Sequence, residues 1–60
     1  MTKLDWELNI ENLAARVAET YGSDVVESVF ARYDATDFGN LSPADYEQVF
    51  GDLMLIDEDG

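Results

Sequence analysis

Carboxylates are almost the only side chains of this chain that could take part in chemistry. The 60 residues include 14 Asp and Glu against three Lys and Arg, and they include no His or Cys. A nucleophile would therefore be a serine or a carboxylate, and Ser23 and Ser42 stand where helix caps are expected. Paired carboxylates can act as acid and base, yet 14 acids form some close pairs by chance. Because so small a domain has little room for a substrate pocket, we expect no enzymatic activity and no cofactor.

The acidic excess gives the chain a formal net charge of −11 at pH 7. Such a charge destabilises a compact body by self-repulsion. However, 47% of the residues are hydrophobic, which is not the composition of a disordered acidic segment. Three cations are too few to bind nucleic acid directly, and anionic membranes should repel the chain. We therefore expect a folded protein whose partner is the basic surface of another protein.

No targeting or membrane-spanning segment is visible in the sequence. The first residues lack the basic start and apolar run of a signal peptide. The longest apolar run, residues 53–56, is far too short to cross a bilayer. These features predict a cytoplasmic protein.

Carboxylates recur at helical spacing along the chain. Glu7, Glu11 and Glu19 fall on one row at multiples of four residues, and Asp24 and Glu27 are one turn apart. Like charges four residues apart slightly destabilise a helix. A binding surface is one explanation of the row, and a solvated face that maintains solubility is the other. The predicted partner-binding residues are Glu7, Glu11, Glu19, Asp24, Glu27 and Asp52.

Three amphipathic segments must position these carboxylates. Apolar residues recur three and four apart in each segment, and short connections favour antiparallel neighbours. The pattern predicts an all-α fold, a compact three-helix bundle in a single domain over residues 1–60, with helices at about 4–21, 23–34 and 42–56. The start of the first helix stays open, since Thr2 and Asp5 have capping-box spacing, whereas Asn9 could cap a shorter helix after an extended arm.

A helix-ending glycine and a capping serine mark the start of the second helix. Gly22 ends the first helix, and Ser23 is expected to cap the second. Valines lower the helix propensity of residues 25–30, so a strand is the alternative there.

The third helix has the clearest start. Ser42 is expected as the N-cap with Pro43 at the first helical position, where its missing N–H costs nothing. Gly51 interrupts the apolar face, and a close helix crossing would explain it. Residues 57–60 are predicted to be a frayed tail, because carboxylates at a helix C-terminus oppose the dipole.

The segment between the last two helices resembles the EF-hand calcium loop, with Gly39 at the sixth position. Phe38 stands at the fifth position, where an oxygen ligand is expected, and Asp45 replaces the longer Glu of the twelfth. One interpretation is a purely structural connector without metal, in which Gly39 permits the turn and Ser42 caps the next helix. The resemblance implies instead a calcium module with the ligand set Asp34, Thr36, Asn40, Ser42 and Asp45.

Some apolar residues lie outside the helical stripes. Phe38 is either tucked under the loop or exposed as a contact residue. Met54 and Leu55 widen the apolar arc of the third helix, which indicates a nearly surrounded last turn or a dimer contact. The predicted hydrophobic contacts are Phe38, Met54 and Leu55. A helical adaptor or homodimer that also uses Tyr33 is one alternative function.

Small, acidic and helical chains of this kind are similar to the DNA mimics that phages and mobile elements use against restriction or CRISPR systems. Residues 29–52 also resemble short proteins carried by conjugative elements of Gram-positive bacteria. The first resemblance implies a non-enzymatic inhibitor whose carboxylates imitate phosphates and occupy a basic groove of a nucleic-acid-binding protein. Its binding would be fast and salt-sensitive. This is the principal hypothesis, and the calcium module and the adaptor are its rivals.

Overall fold

The protein consists of three α-helices and a long connection before the last. The computed structural model describes the backbone of residues 1–59 and the side chains of residues 1–58. The helices are α1 (Lys3–Tyr21), α2 (Ser23–Ala31) and α3 (Tyr46–Asp59), and two single 3₁₀ turns, Phe38–Asn40 and Pro43–Asp45, lie in the connection. Residues 1–59 contain no strand, so the all-α bundle is confirmed and the strand alternative for residues 25–30 is wrong. No described helix combines the length and the apolar character needed to span a membrane.

The helices run up, down and up. Only Gly22 separates α1 from α2, so α2 folds back antiparallel against α1. At the start of α1, the Trp6 ring lies 6.2 Å from the Tyr46 ring and 6.1 Å from the Phe50 ring, between centroids. Near the other end, Arg16 contacts Asp57. The first and third helices are therefore parallel.

One apolar core holds the three helices together. Each helix contributes side chains to it, and the connection adds three more through Ala35, Phe38 and Leu41. Full burial of one large aliphatic side chain stabilises a fold by about 1.5–3 kcal/mol. In the described part of the chain no polar or charged side chain is buried, so the carboxylates all lie at or near the surface. The largest fully buried side chains are Ile10, Val17, Val29, Val49 and Leu53.

A capping box starts α1. The Asp5 N–H donates to Thr2 Oγ1 at 3.2 Å, and the Thr2 N–H donates to the Asp5 carboxylate at 3.1 Å. The backbone hydrogen bond from Thr2 lowers the pKa of Asp5. Asn9 lies inside the helix, where its amide donates to the Asp5 carbonyl at 2.8 Å. The extended-arm alternative is therefore wrong.

Gly22, and not Ser23, is the N-cap of α2. Gly22 has φ 105° and ψ 150°, and a Cβ built there would lie 2.6 Å from Asp24 Oδ1. The predicted Ser23 cap is wrong because Ser23 is already helical and no side chain caps this end. A one-residue reversal between two helices needs a backbone conformation that is nearly restricted to glycine.

The second helix closes with a Schellman turn. Its regular part ends at Ala31, three residues before the predicted end. The Asp34 N–H then donates to the Ala31 carbonyl at 3.2 Å, and the Ala35 N–H donates to the Phe30 carbonyl at 3.1 Å. Asp34 takes the left-handed position, with φ 58°, that glycine usually occupies in this motif. The turn places Ala35 in the core beside the end of the helix.

The third helix begins at Tyr46 and not at residue 42 as predicted, because the predicted first turn is a separate 3₁₀ turn. Ser42 is at the N-cap position with Pro43 following, yet its hydroxyl makes no capping hydrogen bond and residues 43–45 form a 3₁₀ turn. Gly51 is exposed, and a Cβ built there would meet nothing within 4 Å. The expected close crossing at Gly51 is therefore wrong.

The predicted frayed tail is also wrong over residues 57–59. The helix continues to Asp59, whereas Gly60 lies outside the described residues. Asp57 is anchored by Arg16, and Ile56 packs partly buried against the core. These contacts oppose the unfavourable placement of carboxylates at a helix C-terminus, which costs about 0.3–1 kcal/mol for each carboxylate at an exposed site.

Candidate functional site

A groove between α1 and α2 brings together two of the predicted partner-binding residues, Glu11 and Glu27. The groove has a volume of about 360 Å³. Thr36 and Asp37, from the connection, also line it. We call this feature the α1–α2 groove, and its apolar floor is formed by Ala14, Ala15, Ala18, Val26, Phe30 and Phe38.

Small side chains on α1 create the groove. Ala14, Ala15 and Ala18 lie on the side of α1 that faces α2, and none of them reaches across the gap between the helices. The edges of Phe30 and Phe38, which are otherwise core residues, close the floor. The result is an apolar surface whose rim carries the carboxylates of Glu11, Glu27 and Asp37.

The other predicted acids do not join this groove. Glu19 and Asp24 are exposed elsewhere on α1 and α2, and Glu7 is half-buried. Asp52 lies on α3 beside the turn that follows α2, where its carboxylate accepts a 2.6 Å hydrogen bond from the Tyr33 hydroxyl. That hydrogen bond raises the pKa of Tyr33. Asp52 therefore stabilises the bundle, and the six acids do not form one continuous face with the groove.

Ion pairs neutralise few of the carboxylates. Within the described side chains, Arg16 lies 2.8 Å from Asp57 and Arg32 lies 3.9 Å from Asp52. Both arginines are largely exposed, so each pair contributes about 0–1 kcal/mol to stability. Most of the negative charge therefore remains available to an incoming ligand.

Two side chains of the segment that resembles an EF-hand loop, Asp37 and Asn40, accept hydrogen bonds from within the segment. The Asn40 amide oxygen accepts from the backbone N–H groups of Thr36 (3.0 Å) and Asp37 (3.3 Å). The Asp37 carboxylate accepts in return from the Asn40 N–H at 3.3 Å. Gly39 lies within a 3₁₀ turn, and the left-handed residue is Asp34 instead.

The calcium ligand set stays a prediction, and one of its members is already engaged within the segment. In the described part of the chain no three Asp, Glu, His or Cys side chains are placed to hold a metal ion together. Of the proposed ligand set, Asn40 is engaged by Thr36, and only Asp34 and Asp45 carry charge. Asp37 and Asn40 form a capping box, which the sequence analysis missed although their three-residue spacing is that of this motif.

The predicted hydrophobic contacts divide into one core residue and two surface residues. Phe38 is only 5% exposed and stacks on Tyr46 with 4.7 Å between ring centroids, so it is tucked under the loop and only its edge borders the groove. Met54 is 37% and Leu55 is 64% exposed. Leu4 and Leu8, at 63% and 54%, are also exposed and were missed. The sequence did carry a signal of their exposure, since both leucines fall outside the apolar face of α1 that begins at Trp6.

Carboxylates dominate the described surface of the protein. Its carboxylates face solvent along the helices, and the sequence supplies no His or Cys to work beside them. The α1–α2 groove adds one apolar patch within this negative field. No protein-family model, no curated protein and no solved structure matches the chain.

Proposed function

We propose that this protein is a non-enzymatic acidic binding module that occupies a basic groove of a nucleic-acid-binding protein, as a DNA mimic does. The density of its charge carries the proposal. The longest dimension is 28 Å and the net charge is −11, so the body carries one net charge per about 2.5 Å, against about 1.7 Å along duplex DNA. A groove that accepts DNA therefore meets a comparable field on this protein.

The scaffold supports this function because it holds the charge in place. Exposed carboxylates project from helices that share a rigid apolar core. A negative field of this kind accelerates association with a positive partner, and the acceleration falls as salt increases.

We assign the protein to the cytoplasm, since a chain without Cys gains nothing from an oxidising compartment.

Salt-graded capture from a bacterial lysate tests the proposal. The immobilised protein should retain nucleic-acid-binding proteins at low salt and release them at high salt, because the interaction is electrostatic. Added duplex DNA should also release them, since it competes for the same groove. Captured proteins that duplex DNA does not displace would contradict the mimic.

A matched pair of variants locates the surface. Glu11→Gln with Glu19→Gln, and Glu47→Gln with Glu58→Gln, each remove two exposed carboxylates and leave the same net charge. The α1 pair should weaken capture, whereas the α3 pair should retain it. Equal losses in both would show that net charge alone binds the partner and that the predicted row on α1 is not the site.

Exposed leucines support one second candidate, a helical adaptor or homodimer. Leu4 and Leu8 are one turn apart on α1, and Leu55 is exposed on α3. Light scattering across protein concentration tests this alternative. A mass that remains that of one chain at high salt, where charge repulsion is screened, would exclude the homodimer.

A further inference from the structure

We propose that the α1–α2 groove receives two apolar side chains, one helical turn apart, from a basic amphipathic helix of the partner protein. This inference rests on the proposed function, because it assumes a basic partner. It adds the place of contact and the chemistry that the partner must present there.

The shape of the groove sets the length of the bound segment. Along α1 the groove extends from Glu11 to Ala18, which is about 10 Å, or two helical turns. Two side chains at positions i and i+4 of a helix are about 6 Å apart along its axis and fit this length. A volume of about 360 Å³ is at the small end for a ligand pocket and suits two aliphatic side chains better than a large cofactor.

Small residues allow a helix to approach closely. Ala14, Ala15 and Ala18 present only methyl groups, so nothing on α1 must move to admit an apolar side chain. Without a ligand these methyl groups and Val26 border open solvent. Covering them with apolar groups removes that area from water, which favours binding.

The charge of the rim selects a basic partner. Glu11, Glu27 and Asp37 surround the floor, and no Lys or Arg is among the described residues that line it. Lys and Arg can lay their methylene chains on apolar surface while their charges reach the rim. A second copy of this chain is disfavoured, because two bodies of −11 each repel one another.

A designed helical peptide of Leu and Lys, with two Leu one turn apart, is the probe. A peptide of equal charge in which Ser replaces both Leu is its control. The Leu-containing peptide should bind more tightly, and its binding should shift the NMR signals of Ala14, Ala15, Ala18 and Val26. Equal affinity for the two peptides would overturn the inference, because a purely electrostatic contact needs no groove.

A second pair of variants tests the same point from the protein side. Ala15→Leu fills the groove without changing charge, whereas Asn12→Leu adds the same side chain at an exposed position of α1 that does not line it. Ala15→Leu should raise the Kd of the Leu-containing peptide about tenfold or more, while Asn12→Leu should leave it within about twofold. An unchanged Kd in a folded Ala15→Leu protein would refute the groove.

These results are separable from the proposed function. Loss of peptide binding in Ala15→Leu, with lysate capture insensitive to duplex DNA, would support the groove and reject the DNA mimic. Lysate capture that DNA displaces but Ala15→Leu does not affect would support the DNA mimic and reject the groove. Self-association that Ala15→Leu abolishes would assign the groove to a second copy and overturn the inference.

Discussion

Salt should stabilise this protein strongly, because the folded state concentrates its negative charge. A uniform sphere with the observed radius of gyration of 10.4 Å has a radius of about 13 Å. With the Debye lengths of 0.01 M and 1 M salt, the self-repulsion of −11 charges on that sphere is about 13 and about 3 kcal/mol, respectively.

The unfolded chain repels itself less because its charges are farther apart. Its radius of gyration is about 23 Å, which gives about 4 kcal/mol of self-repulsion at 0.01 M salt and under about 1 kcal/mol at 1 M. Subtracting the two states, the free energy of unfolding should rise by up to about 6 kcal/mol between these salt concentrations. A domain of 60 residues has a total stability of only about 3–9 kcal/mol, so the effect is large.

Urea titrations followed by circular dichroism, at 0.01, 0.1 and 1 M NaCl, measure this increase. The control is the triple variant Glu7→Gln, Glu11→Gln and Glu19→Gln, in which the helix propensity is nearly unchanged and the net charge falls to about −8. Since self-repulsion scales with the square of the charge, its salt-dependent gain should be about half that of the original protein. An equal gain in both proteins, or a loss of stability with salt, would refute the reasoning.

The other predictions concern local backbone and one hydrogen bond. Gly22→Ala should lower the free energy of unfolding by about 1–3 kcal/mol, because Gly22 has a positive φ and the Asp24 carboxylate lies close to it. Gly51→Ala, in open space within α3, should raise the free energy of unfolding by about 1 kcal/mol. Urea titration measures both changes, and two changes of the same sign would contradict the prediction. Asp34→Gly should raise the free energy of unfolding by up to about 1 kcal/mol, since the left-handed position then carries no Cβ, and a lower urea midpoint would contradict this. The Tyr33 hydrogen bond to Asp52 should contribute stability that is fully present below pH about 10, the unfolded pKa, and is lost as pH rises through the raised folded pKa. Phenolate absorbance should accordingly show a lower Tyr33 pKa in Asp52→Asn, and an unchanged pKa would show that the hydrogen bond is not the cause.

Local spacing predicted the elements of the fold, but not every local choice. The Thr2 and Asn9 caps were equally good at the sequence level, and the contact of Trp6 with Tyr46 and Phe50, about 40 residues away, favours the earlier start. Gly39 was the natural candidate for a residue with left-handed backbone conformation in the connection. That conformation is found at Asp34 instead, because the Schellman turn there brings Ala35 into the core. Such choices depend on long-range packing.

The candidate site was less predictable than the fold. Helical spacing identified carboxylates that share a face of the first or the second helix, but it does not specify which residues of the other helices lie beside them. That Glu11 meets Glu27 across a groove, while Asp52 pairs with Tyr33 elsewhere, follows from how the helices pack. The groove itself depends on alanines that carry no distinctive signal in the sequence.

The parallel course of α1 and α3 sends the two ends of the described chain in opposite directions. Residue 1 and residue 59 lie at opposite ends of the bundle, separated by about the length of α1, which is roughly 28 Å. Joining them would take a linker of at least about eight extended residues. Two proteins fused to the two ends would be held apart by that distance, with the acidic helices between them.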